Sequence, residues 1–311
     1  MSTALYTHPA CIEHQPGPGH PESPDRLRAV LDALSANEFD GLDRREAPEA
    51  TAEMLERAHS PGHVSAILDN VPESGFLALD PDTYLSPASG AAALRAAGGV
   101  CAAVDAVAGG DAANAFCAVR PPGHHAESRR AMGFCLFSNV AVGALHAQAV
   151  HGFERIAVVD FDVHHGNGTE AILSEADGMF FASSHQFPAY PGTGTESRGD
   201  MVINVPLPPG AGSAEFRSVY GEAIFPALEM FAPEMIFVSA GFDAHLRDPL
   251  CQLELTTDDF AWVSREITSI AASFSGGRVV SSLEGGYDLQ ALADSVAAHV
   301  RVLIAAGEAG S

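Results

Sequence analysis

The sequence contains no lysine, and its basic residues are few. All 16 are arginine, against 40 aspartates and glutamates, which gives a net charge of −24 at pH 7. Nucleic-acid binding requires a basic surface, so this deficit argues against a nucleic-acid partner. An acidic surface attracts cationic ligands, although a role in solubility explains the acidity at least as well. We attribute the missing lysine to compositional bias rather than to function.

Cysteine is scarce as well, and long apolar runs are missing. The five cysteines are scattered and form no Cys-x-x-Cys pair, which predicts a reduced, cytoplasmic protein. No basic segment followed by an apolar stretch opens the sequence, and no apolar run reaches the length that a bilayer requires. We therefore expect no membrane association, and the sequence leaves the oligomeric state open.

What the sequence does contain is an alternation of apolar runs and helical patterns. The apolar runs predict strands at Thr3–Thr7, Asn114–Val119, Ile156–Val159, Met179–Ala182, Met201–Val205, Met235–Ser239 and Val279–Leu283. Helical patterns are found at Pro24–Leu34, Thr51–His59, Val64–Leu68, Ala88–Ala108, Ser138–Val150, Glu170–Glu175, Glu215–Phe231, Thr257–Phe274 and Asp288–Ala306. This alternation is typical of an α/β fold with a predominantly parallel sheet and helices on both faces.

The stretches between these elements contain no linker, repeat or low-complexity segment. Residues 8–24 and 72–87 are rich in proline, glycine and polar side chains, and we expect them to be irregular. Hydrophobic residues make up 47% of the 311 residues, which is enough for one large core. The sequence therefore predicts a single domain over residues 1–311.

The stretch Arg155–Gly168, RIAVVDFDVHHGNG, is the centre of the functional argument. It begins as a continuous apolar run, as in a strand buried on both faces. Asp160, Asp162 and His164 then follow at a spacing of two, which in a strand places them on one face. Buried charges are costly unless they are compensated, so the cluster favours a metal site over a solvated loop.

Polar side chains follow the other predicted strands in the same way. They form the segments Arg120–His125, Ser183–His185, Ala240–His245 and Glu284–Tyr287. The carboxyl ends of parallel strands meet at one edge of a sheet, where α/β proteins bind their ligands. Polar side chains from several strand ends at one sheet edge are far less expected by chance than a single buried histidine.

These residue types suggest metal-assisted hydrolysis of an amide. Asp162, His164 and Asp243 supply three metal ligands and leave a position for water or substrate, as catalytic zinc sites do. The oxygen-rich set also suits Fe²⁺ or Co²⁺. A metal-bound water needs a base, for which His124 and His125 are both candidates. A tetrahedral intermediate needs a hydrogen-bond donor, and Tyr287 beside two glycines is the candidate.

The motifs resemble those of the zinc-dependent histone deacetylases, of the class II type, in the arginase–deacetylase superfamily. The resemblance covers nearly the whole chain, in the family's motif order. It is carried by HPESPDR (His20–Arg26), RPPGHHA (Arg120–Ala126), GFCLFSN (Gly133–Asn139), DFDVHHGNG (Asp160–Gly168), YPGTG (Tyr190–Gly194), SAGFDAH (Ser239–His245) and EGGY (Glu284–Tyr287).

The resemblance implies a role for each matched residue of the catalytic centre. It implies that one zinc ion is held by Asp162, His164 and Asp243. The second of the tandem histidines, His125, is implied to transfer the proton, whereas His124 acts electrostatically in a pair with Asp160. Tyr287 is implied to polarise the acetyl carbonyl together with the metal.

The resemblance also implies a tunnel and a second ion. Gly133, Phe134 and Tyr190 match the wall of a narrow tunnel for the acetylated side chain, and Leu250 matches a position on its rim. Arg26 matches an arginine of an internal channel thought to release acetate. The family's structural potassium ion is implied to bind Asp160, Asp162, Ser183 and main-chain carbonyls around His164 and Ser184.

Departures from the family motifs bear on the number of catalytic metal ions and on the preferred substrate. Asn167 stands where class I members have aspartate, and Tyr190 replaces the usual phenylalanine. The positions that hold a second metal in arginase-like relatives are Gly166 and His245, which implies one catalytic metal. Leu250 stands where acetylpolyamine specialists can carry glutamate, which favours acetylated lysine in proteins or peptides. An acetylpolyamine amidohydrolase and a catalytically silent acyl-lysine binding module are the alternatives.

Overall fold

The computed structural model describes residues 1–309 and is built on one large parallel sheet. Its strands are β1 (Thr3–Thr7), β2 (Asp43–Glu46), β5 (Asn114–Cys117), β6 (Ile156–Asp160), β7 (Met179–Gln186), β8 (Val202–Leu207), β9 (Met235–Ala240) and β10 (Val279–Leu283). They lie in the order β2-β1-β5-β10-β9-β6-β7-β8, and every neighbouring pair is parallel. The predicted α/β fold class is confirmed.

Helices cover the sheet in two groups. The helices are α1 (Ala10–Glu13), α2 (Pro24–Ala33), α3 (Ala52–Glu56), α4 (Pro61–Leu68), α5 (Ser89–Gly109), α6 (Asn139–His151), α7 (Asn167–Leu173), α8 (Ser213–Val219), α9 (Phe225–Phe231), α10 (Thr257–Phe274) and α11 (Leu289–Ala309). Helices α5 and α6 pack on each other and on strands of the sheet, whereas α11 packs against both α2 and α10 and against β1 and β5.

The central strands are buried along their whole length because both faces of the sheet are covered. Every residue of β5, β6, β9 and β10 is buried, as expected for a parallel sheet between two helical layers. Strands β5, β10, β9, β6 and β7 are consecutive neighbours, so the loops that follow them emerge side by side at the carboxyl edge. This order places the polar segments of the sequence in one region.

Several short elements were not predicted. Strand β2 is an edge strand of sequence DRRE with no apolar run, so its sequence does not indicate a strand. Helix α1 lies within the stretch expected to be irregular, at Ala10–Glu13. The second such stretch contains a hairpin of β3 (Leu77–Asp80) and β4 (Thr83–Leu85), so these two expectations were wrong.

Two of the differences between predicted and observed bounds have a clear physical cause. Strand β7 continues through Ser183–His185 to Gln186, because β8 pairs with it there and the buried polar side chains find partners within the protein. The predicted helix Glu215–Phe231 is interrupted at Tyr220–Ile224 by a π-helical turn. Pro226 follows at the second position of α9, and because it has no N–H it favours such a break in the helical hydrogen bonds.

Two helices are long and apolar enough to span a membrane, contrary to the expectation from the sequence. They are α5 and α11. Of their most apolar windows, 67% and 56% is buried inside the protein, and both helices pack against strands and other helices. Core helices of this length pass the same criterion, so the two helices are weak evidence for a membrane.

Candidate metal centre and active site

The loop after β6 brings its acidic residues and histidine together by turning, rather than by continuing as a strand. Strand β6 ends at Asp160. The N–H of Asp162 donates to Asp160 Oδ1 at 3.1 Å, and the N–H of His164 donates to Asp162 Oδ1 at 2.9 Å. Such side-chain bonds to main-chain groups two residues ahead stabilise a turn. The shared strand face expected from the sequence therefore does not exist, although the side chains do converge.

Asp162, His164 and Asp243 form a compact, buried cluster. The Nδ1 atom of His164 lies 3.2 Å from Asp162 Oδ1 and 3.2 Å from Asp243 Oδ2. All three ligand atoms lie within 4.8 Å of one another. The other carboxylate oxygens accept main-chain hydrogen bonds, from Gly285 to Asp162 and from Val163 to Asp243. One oxygen of each carboxylate and one imidazole nitrogen therefore face a common point.

The electrostatics of this cluster fit a divalent cation. Burial, the largest effect, raises the pKa of Asp243, and the neighbouring Asp162 carboxylate raises it further. Burial alone would lower the pKa of His164, but its hydrogen bonds to the two aspartates outweigh burial and hold that pKa well above the usual value. The cluster thus attracts positive charge into a buried position. Two carboxylates and one imidazole are ligands that zinc and its first-row neighbours accept.

Two glycines leave the room that the cluster needs. A Cβ atom at Gly285 would lie 2.6 Å from Asp162 Oδ2 and also collide with Asp243. A Cβ atom at Gly241 would lie 2.5 Å from the Asp162 Cβ. Real Cβ atoms do not approach other atoms so closely, so both positions require glycine. The main chain of these two strand ends therefore packs directly against the proposed ligands.

A second group of possible ligands lies far less favourably. The group consists of Asp105, His146 and His151 on helices α5 and α6, whose possible ligand atoms also lie within 4.8 Å of one another. However, Arg57 lies 2.9 Å from His146 Nδ1. Arginine only donates, so that nitrogen is an acceptor and the hydrogen is on Nε2, which donates to Asp105. In a metal-binding histidine, the nitrogen that faces the other ligands carries no hydrogen, and the second nitrogen donates its hydrogen to a neighbouring group. We therefore interpret this group as a hydrogen-bonded link between the two helices.

The first tandem histidine lies against two aspartates. His124 Nδ1 is 3.0 Å from Asp160 Oδ2, and its Nε2 is 3.8 Å from Asp162 Oδ2. Burial lowers the pKa of His124, but the charges of Asp162 and then Asp160 outweigh it and raise the value to about 10. His124 therefore carries a proton and a positive charge at neutral pH.

The second tandem histidine has a neutral partner and is itself neutral. His125 Nδ1 lies 2.8 Å from Asn167 Oδ1. The Asn167 amide nitrogen donates to Glu127 Oε1 at 2.9 Å, which turns the amide oxygen toward the ring. Nδ1 therefore donates, and Nε2 is left with its lone pair. Burial, followed by the charge of His124, lowers the pKa of His125 well below its usual value.

A narrow cavity of about 230 Å³ leads to these residues. It contains all four residues predicted to bind substrate. The lining residues are Asp82, His125, Gly133, Phe134, His164, Tyr190, Leu250 and Tyr287. The Tyr190 ring stands perpendicular to the His125 ring with centroids 5.1 Å apart, and the Phe134 ring lies 6.0 Å from the Tyr287 ring. The cavity is thus an aromatic tunnel with the His125 imidazole and the metal cluster at its base.

The tunnel wall has an unusual backbone at Gly133 and Phe134. Both residues have positive φ, 57° and 68°, a region in which phenylalanine is strained. The Phe134 N–H donates to Thr83 Oγ1 at 3.0 Å, which stabilises this conformation. A Cβ atom at Gly133 would also lie 2.7 Å from the His125 ring. Glycine is therefore required next to the tandem histidines.

Tyr287 is held by its main chain and by its ring. Its N–H donates to Asp248 Oδ2 at 2.7 Å. The Arg26 guanidinium lies over the ring, 4.8 Å from its centroid. Arg26 also donates from Nε to the Gly286 carbonyl at 2.6 Å. The structure therefore places Arg26, predicted as a channel residue, directly beneath the loop that carries Tyr287.

Several residues of this site were not singled out from the sequence. Glu22 accepts hydrogen bonds from both Arg26 and Arg120, and all three side chains are fully buried. Glu284 and Asp248 accept main-chain hydrogen bonds from the catalytic loops. Glu22 and Glu284 belong to quoted motifs, but their sequence positions do not reveal which groups they contact.

Two of the side chains implied to hold potassium, Asp160 and Ser183, lie outside the metal cluster. Asp160 and Ser183 are register partners on the neighbouring strands β6 and β7. Ser183 Oγ lies 3.0 Å from His185 Nδ1, and Asp160 is hydrogen-bonded to His124. The two residues are thus adjacent at the carboxyl edge, and their role in ion binding stays a prediction.

Comparison with known proteins agrees with this geometry. The model of the histone deacetylase domain family matches residues 20–303. Histone deacetylase 14, chloroplastic, of Arabidopsis thaliana is 39% identical over 96% of this chain and 76% of its own length. The histone deacetylase-like amidohydrolase of Pseudomonas aeruginosa is 38% identical over 92% of this chain and 81% of its own. The polyamine deacetylase HDAC10 of Mus musculus is 34% identical over 91% of this chain and 45% of its own.

A solved structure supports the same assignment. The crystal structure of the HDA15 HD domain superposes with a TM-score of 0.91, at 33% identity, over 99% of this chain and 92% of that one. The family model spans most of the chain, and relatives well above 30% identity cover nearly all of it. This chain belongs to the histone deacetylase family and is a deacetylase.

Proposed function

We propose that the protein is a zinc-dependent amidohydrolase that removes acetyl groups from the ε-amine of acetyl-lysine in proteins or peptides. The observation that carries this proposal is the aromatic tunnel whose lining includes His125, His164 and Tyr287 together. A general base, a proposed metal ligand and a hydrogen-bond donor thus surround the end of one narrow cavity. This is the set of groups that amide hydrolysis requires.

The shape of the tunnel supports a long, thin acylated side chain. Phe134 and Tyr190 present ring surfaces that suit the methylene groups of lysine. Acetylation removes the charge of the lysine amine, so the side chain can enter an apolar tunnel without the cost of desolvating a cation. The tunnel wall differs from the family motif in carrying the Tyr190 hydroxyl. Burial, the largest effect, raises the pKa of Tyr190 above its usual value, so the hydroxyl stays neutral.

We infer that the two tandem histidines have different roles, His125 in proton transfer and His124 in electrostatic stabilisation. A zinc ion held by Asp162, His164 and Asp243 would polarise the acetyl carbonyl and acidify the attacking water. His125, neutral and with Nε2 unprotonated, accepts the proton of that water and then donates it to the leaving amine. His124 keeps its proton in its pair with Asp160 and contributes positive charge near the developing oxyanion.

Tyr287 completes the set as the donor to the oxyanion. Its main chain is fixed by Asp248 and its ring is packed against Arg26 and Phe134. The hydroxyl is therefore presented from a fixed position, which is the condition for selective stabilisation of a transition state. Because the hydrogen bond strengthens as the oxygen becomes negative, we expect Tyr287 to affect kcat more than KM.

The ions and the compartment are part of the same proposal. We favour Zn²⁺, with Fe²⁺ or Co²⁺ as alternatives that the two carboxylates and one imidazole accept. A structural K⁺ at Asp160 and Ser183 rests on the resemblance to the family. A cytoplasmic location rests on the scattered cysteines, none of which is paired in the described part of the chain.

An acetylpolyamine substrate is the second candidate, and one residue favours it. Asp82 lines the tunnel. The neighbouring Asp80 is paired with Arg130 at 2.7 Å, whereas the Asp82 carboxylate accepts a hydrogen bond from neutral Thr83 and has no cationic partner among the described residues. A negative charge at the entrance attracts a polyamine ammonium group. Leu250 supplies no second charge there, so we rank acetyl-lysine first.

A substrate panel tests the proposal. We expect kcat/KM to be higher on acetyl-lysine peptides than on acetylated polyamines or longer acyl-lysines. A chelator should abolish turnover and Zn²⁺ should restore it. Asp82→Asn should lower turnover of acetylated polyamines more than that of peptides, whereas Asp40→Asn, at an exposed position before β2, should change neither. Faster hydrolysis of acetylated polyamines by the parent enzyme would overturn the choice of substrate.

A further inference from the structure

Glu284 is fully buried at the centre of the site and has no part in the chemistry described above. It directly follows β10, the strand between β5 and β9, and it precedes the two glycines that lead to Tyr287. A buried carboxyl group is costly unless it makes hydrogen bonds. The question is which groups it holds.

The Glu284 side chain reaches into the loop that carries the tandem histidines. Its Oε2 atom accepts hydrogen bonds from the N–H of Gly123 at 2.6 Å and from the N–H of His124 at 3.2 Å. These N–H groups lie in the loop that follows β5, and β5 is a neighbour of β10 in the sheet. One carboxylate oxygen therefore links the strand end that carries Tyr287 to the loop that carries His125.

The main chain of Glu284 is held as firmly. Its N–H donates to the Ala240 carbonyl at 2.9 Å, at the end of β9. Its own carbonyl accepts a hydrogen bond from Arg26 Nη2 at 2.5 Å. Glu284 is therefore bound to the strand on either side and to the arginine beneath the Tyr287 ring. A displacement of this residue would be felt on both sides of the tunnel base.

The contacts of Glu284 in the site are made through one acceptor oxygen of its carboxyl group. Its second oxygen, Oε1, is buried and has no hydrogen-bond partner among the described residues. Burial, the largest effect, raises the pKa of Glu284 to about 7, against the opposing effect of charged His124. Main-chain N–H groups also bind a neutral carbonyl oxygen, although less strongly than a carboxylate oxygen. A glutamine should therefore keep these contacts and cause a smaller loss than a residue that cannot reach them.

The loop that Glu284 holds has little freedom elsewhere. A Cβ atom at Gly123 would lie 2.7 Å from the Phe137 carbonyl oxygen, so the main chain there is packed closely. His125 follows two residues later, and its base nitrogen must be placed within a fraction of an ångström of its working position. A displacement of 1 Å in a catalytic group costs about 10²-fold in rate.

We propose that Glu284 is a positioning residue, which fixes the loop of His124 and His125 relative to Tyr287. It thereby sets the distance between the general base and the oxyanion donor. This inference rests on the proposed function of those two side chains. It adds a residue that does not touch the substrate.

The test compares three substitutions at one position. Glu284→Gln keeps both length and acceptor, Glu284→Asp keeps the acceptor but shortens the side chain by one methylene, and Glu284→Ala removes both. We expect kcat to fall by about 10²-fold in Glu284→Ala and Glu284→Asp with KM little changed, and by less than about tenfold in Glu284→Gln. Bound metal, measured by elemental analysis, should equal that of the parent in all three.

A core substitution serves as the control for lost stability. Leu303 is fully buried on α11, beside Asn114 at the amino edge of the sheet. Leu303→Ala should lower the free energy of unfolding by ~2–5 kcal/mol without lowering kcat. If Glu284→Ala does not fold, the comparison of Glu284→Gln with Glu284→Asp decides, since both keep an oxygen acceptor and differ in reach.

Two results would overturn the proposal. One is a kcat of Glu284→Asp equal to that of Glu284→Gln, which would mean that reach does not matter. The other is a loss of kcat in Leu303→Ala as large as that in the Glu284 variants. All variants are assayed on whichever acetylated amide the parent hydrolyses fastest. A wrong substrate assignment therefore shows in the parent, whereas a wrong role for Glu284 shows only between variants.

Discussion

The substitution Glu22→Gln tests whether the buried ion pairs beneath the site stabilise the protein. Glu22 is fully buried and accepts hydrogen bonds from Arg26 Nη1 at 3.0 Å and from Arg120 Nη2 at 2.7 Å, with a further short bond from Arg120 Nε. Glutamine has the same shape but no charge. The variant would therefore leave two buried guanidinium groups facing a neutral amide.

The size of the effect follows from the pKa of Glu22. Burial raises it, but the charges of Arg120 and Arg26 outweigh burial and lower it from the usual 4.5 to about 2. A lowering of this size corresponds to roughly 3 kcal/mol of free energy of unfolding. Because the folded pKa is depressed, this contribution is complete above about pH 4.5 and is lost as the pH falls toward 2. Breaking a buried pair typically costs a similar ~3–5 kcal/mol.

The assay is urea denaturation at neutral pH with a matched surface variant. Glu38→Gln makes the same chemical change at an exposed pair with Arg301 and should leave the unfolding midpoint nearly unchanged. We expect Glu22→Gln to lose about 3 kcal/mol. It should also reduce kcat, because Arg26 supports the Tyr287 loop. A loss of less than ~1 kcal/mol, the worth of a neutral hydrogen bond, would refute the reasoning.

Three further predictions address the metal, the donor and the histidine core. Parent protein should bind one divalent metal per chain and Asp243→Ala none; two equivalents in the parent would contradict this. Tyr287→Phe should lower kcat by about 10²–10³-fold with KM little changed, and less on trifluoroacetyl-lysine; near-normal kcat would mean that the ring only packs. Burial lowers the pKa of His299 from 6.5 to about 3, so the parent should lose stability as the pH falls below 6.5. Between about pH 7 and 5 this loss should exceed that of His299→Gln by ~2 kcal/mol in urea denaturation, and equal losses would contradict it.

The sequence predicts the large sheet well because burial on both faces leaves an unmistakable pattern. Strands β9 and β10, and β6 up to Val159, consist of residues that are apolar or small, and all of them are buried. Once such strands are taken as parallel, their loops must meet at one edge. This single step brings Asp162 and His164 near Asp243, which lies 79 residues or more away in sequence.

Elements without a burial pattern are the ones that the sequence does not indicate. Strand β2 is charged and lies at an edge of the sheet, and the β3–β4 hairpin carries exposed or half-buried residues such as Leu77. Their conformation is set by pairing with a partner strand. The turn through Asp160, Asp162 and His164 is a similar case, because side-chain bonds to the main chain replaced the strand that a spacing of two predicts.

The supporting carboxylates pose a different problem, since their function lies in contacts with main-chain groups. Glu284 follows a buried strand as directly as Asp160 ends one. Asp160 is compensated by a cation, the His124 imidazole. Glu284 instead binds N–H groups of a loop distant in sequence, and no pattern of residue types specifies that. Catalytic side chains can therefore be recognised from their chemistry, whereas the residues that position them require the folded backbone.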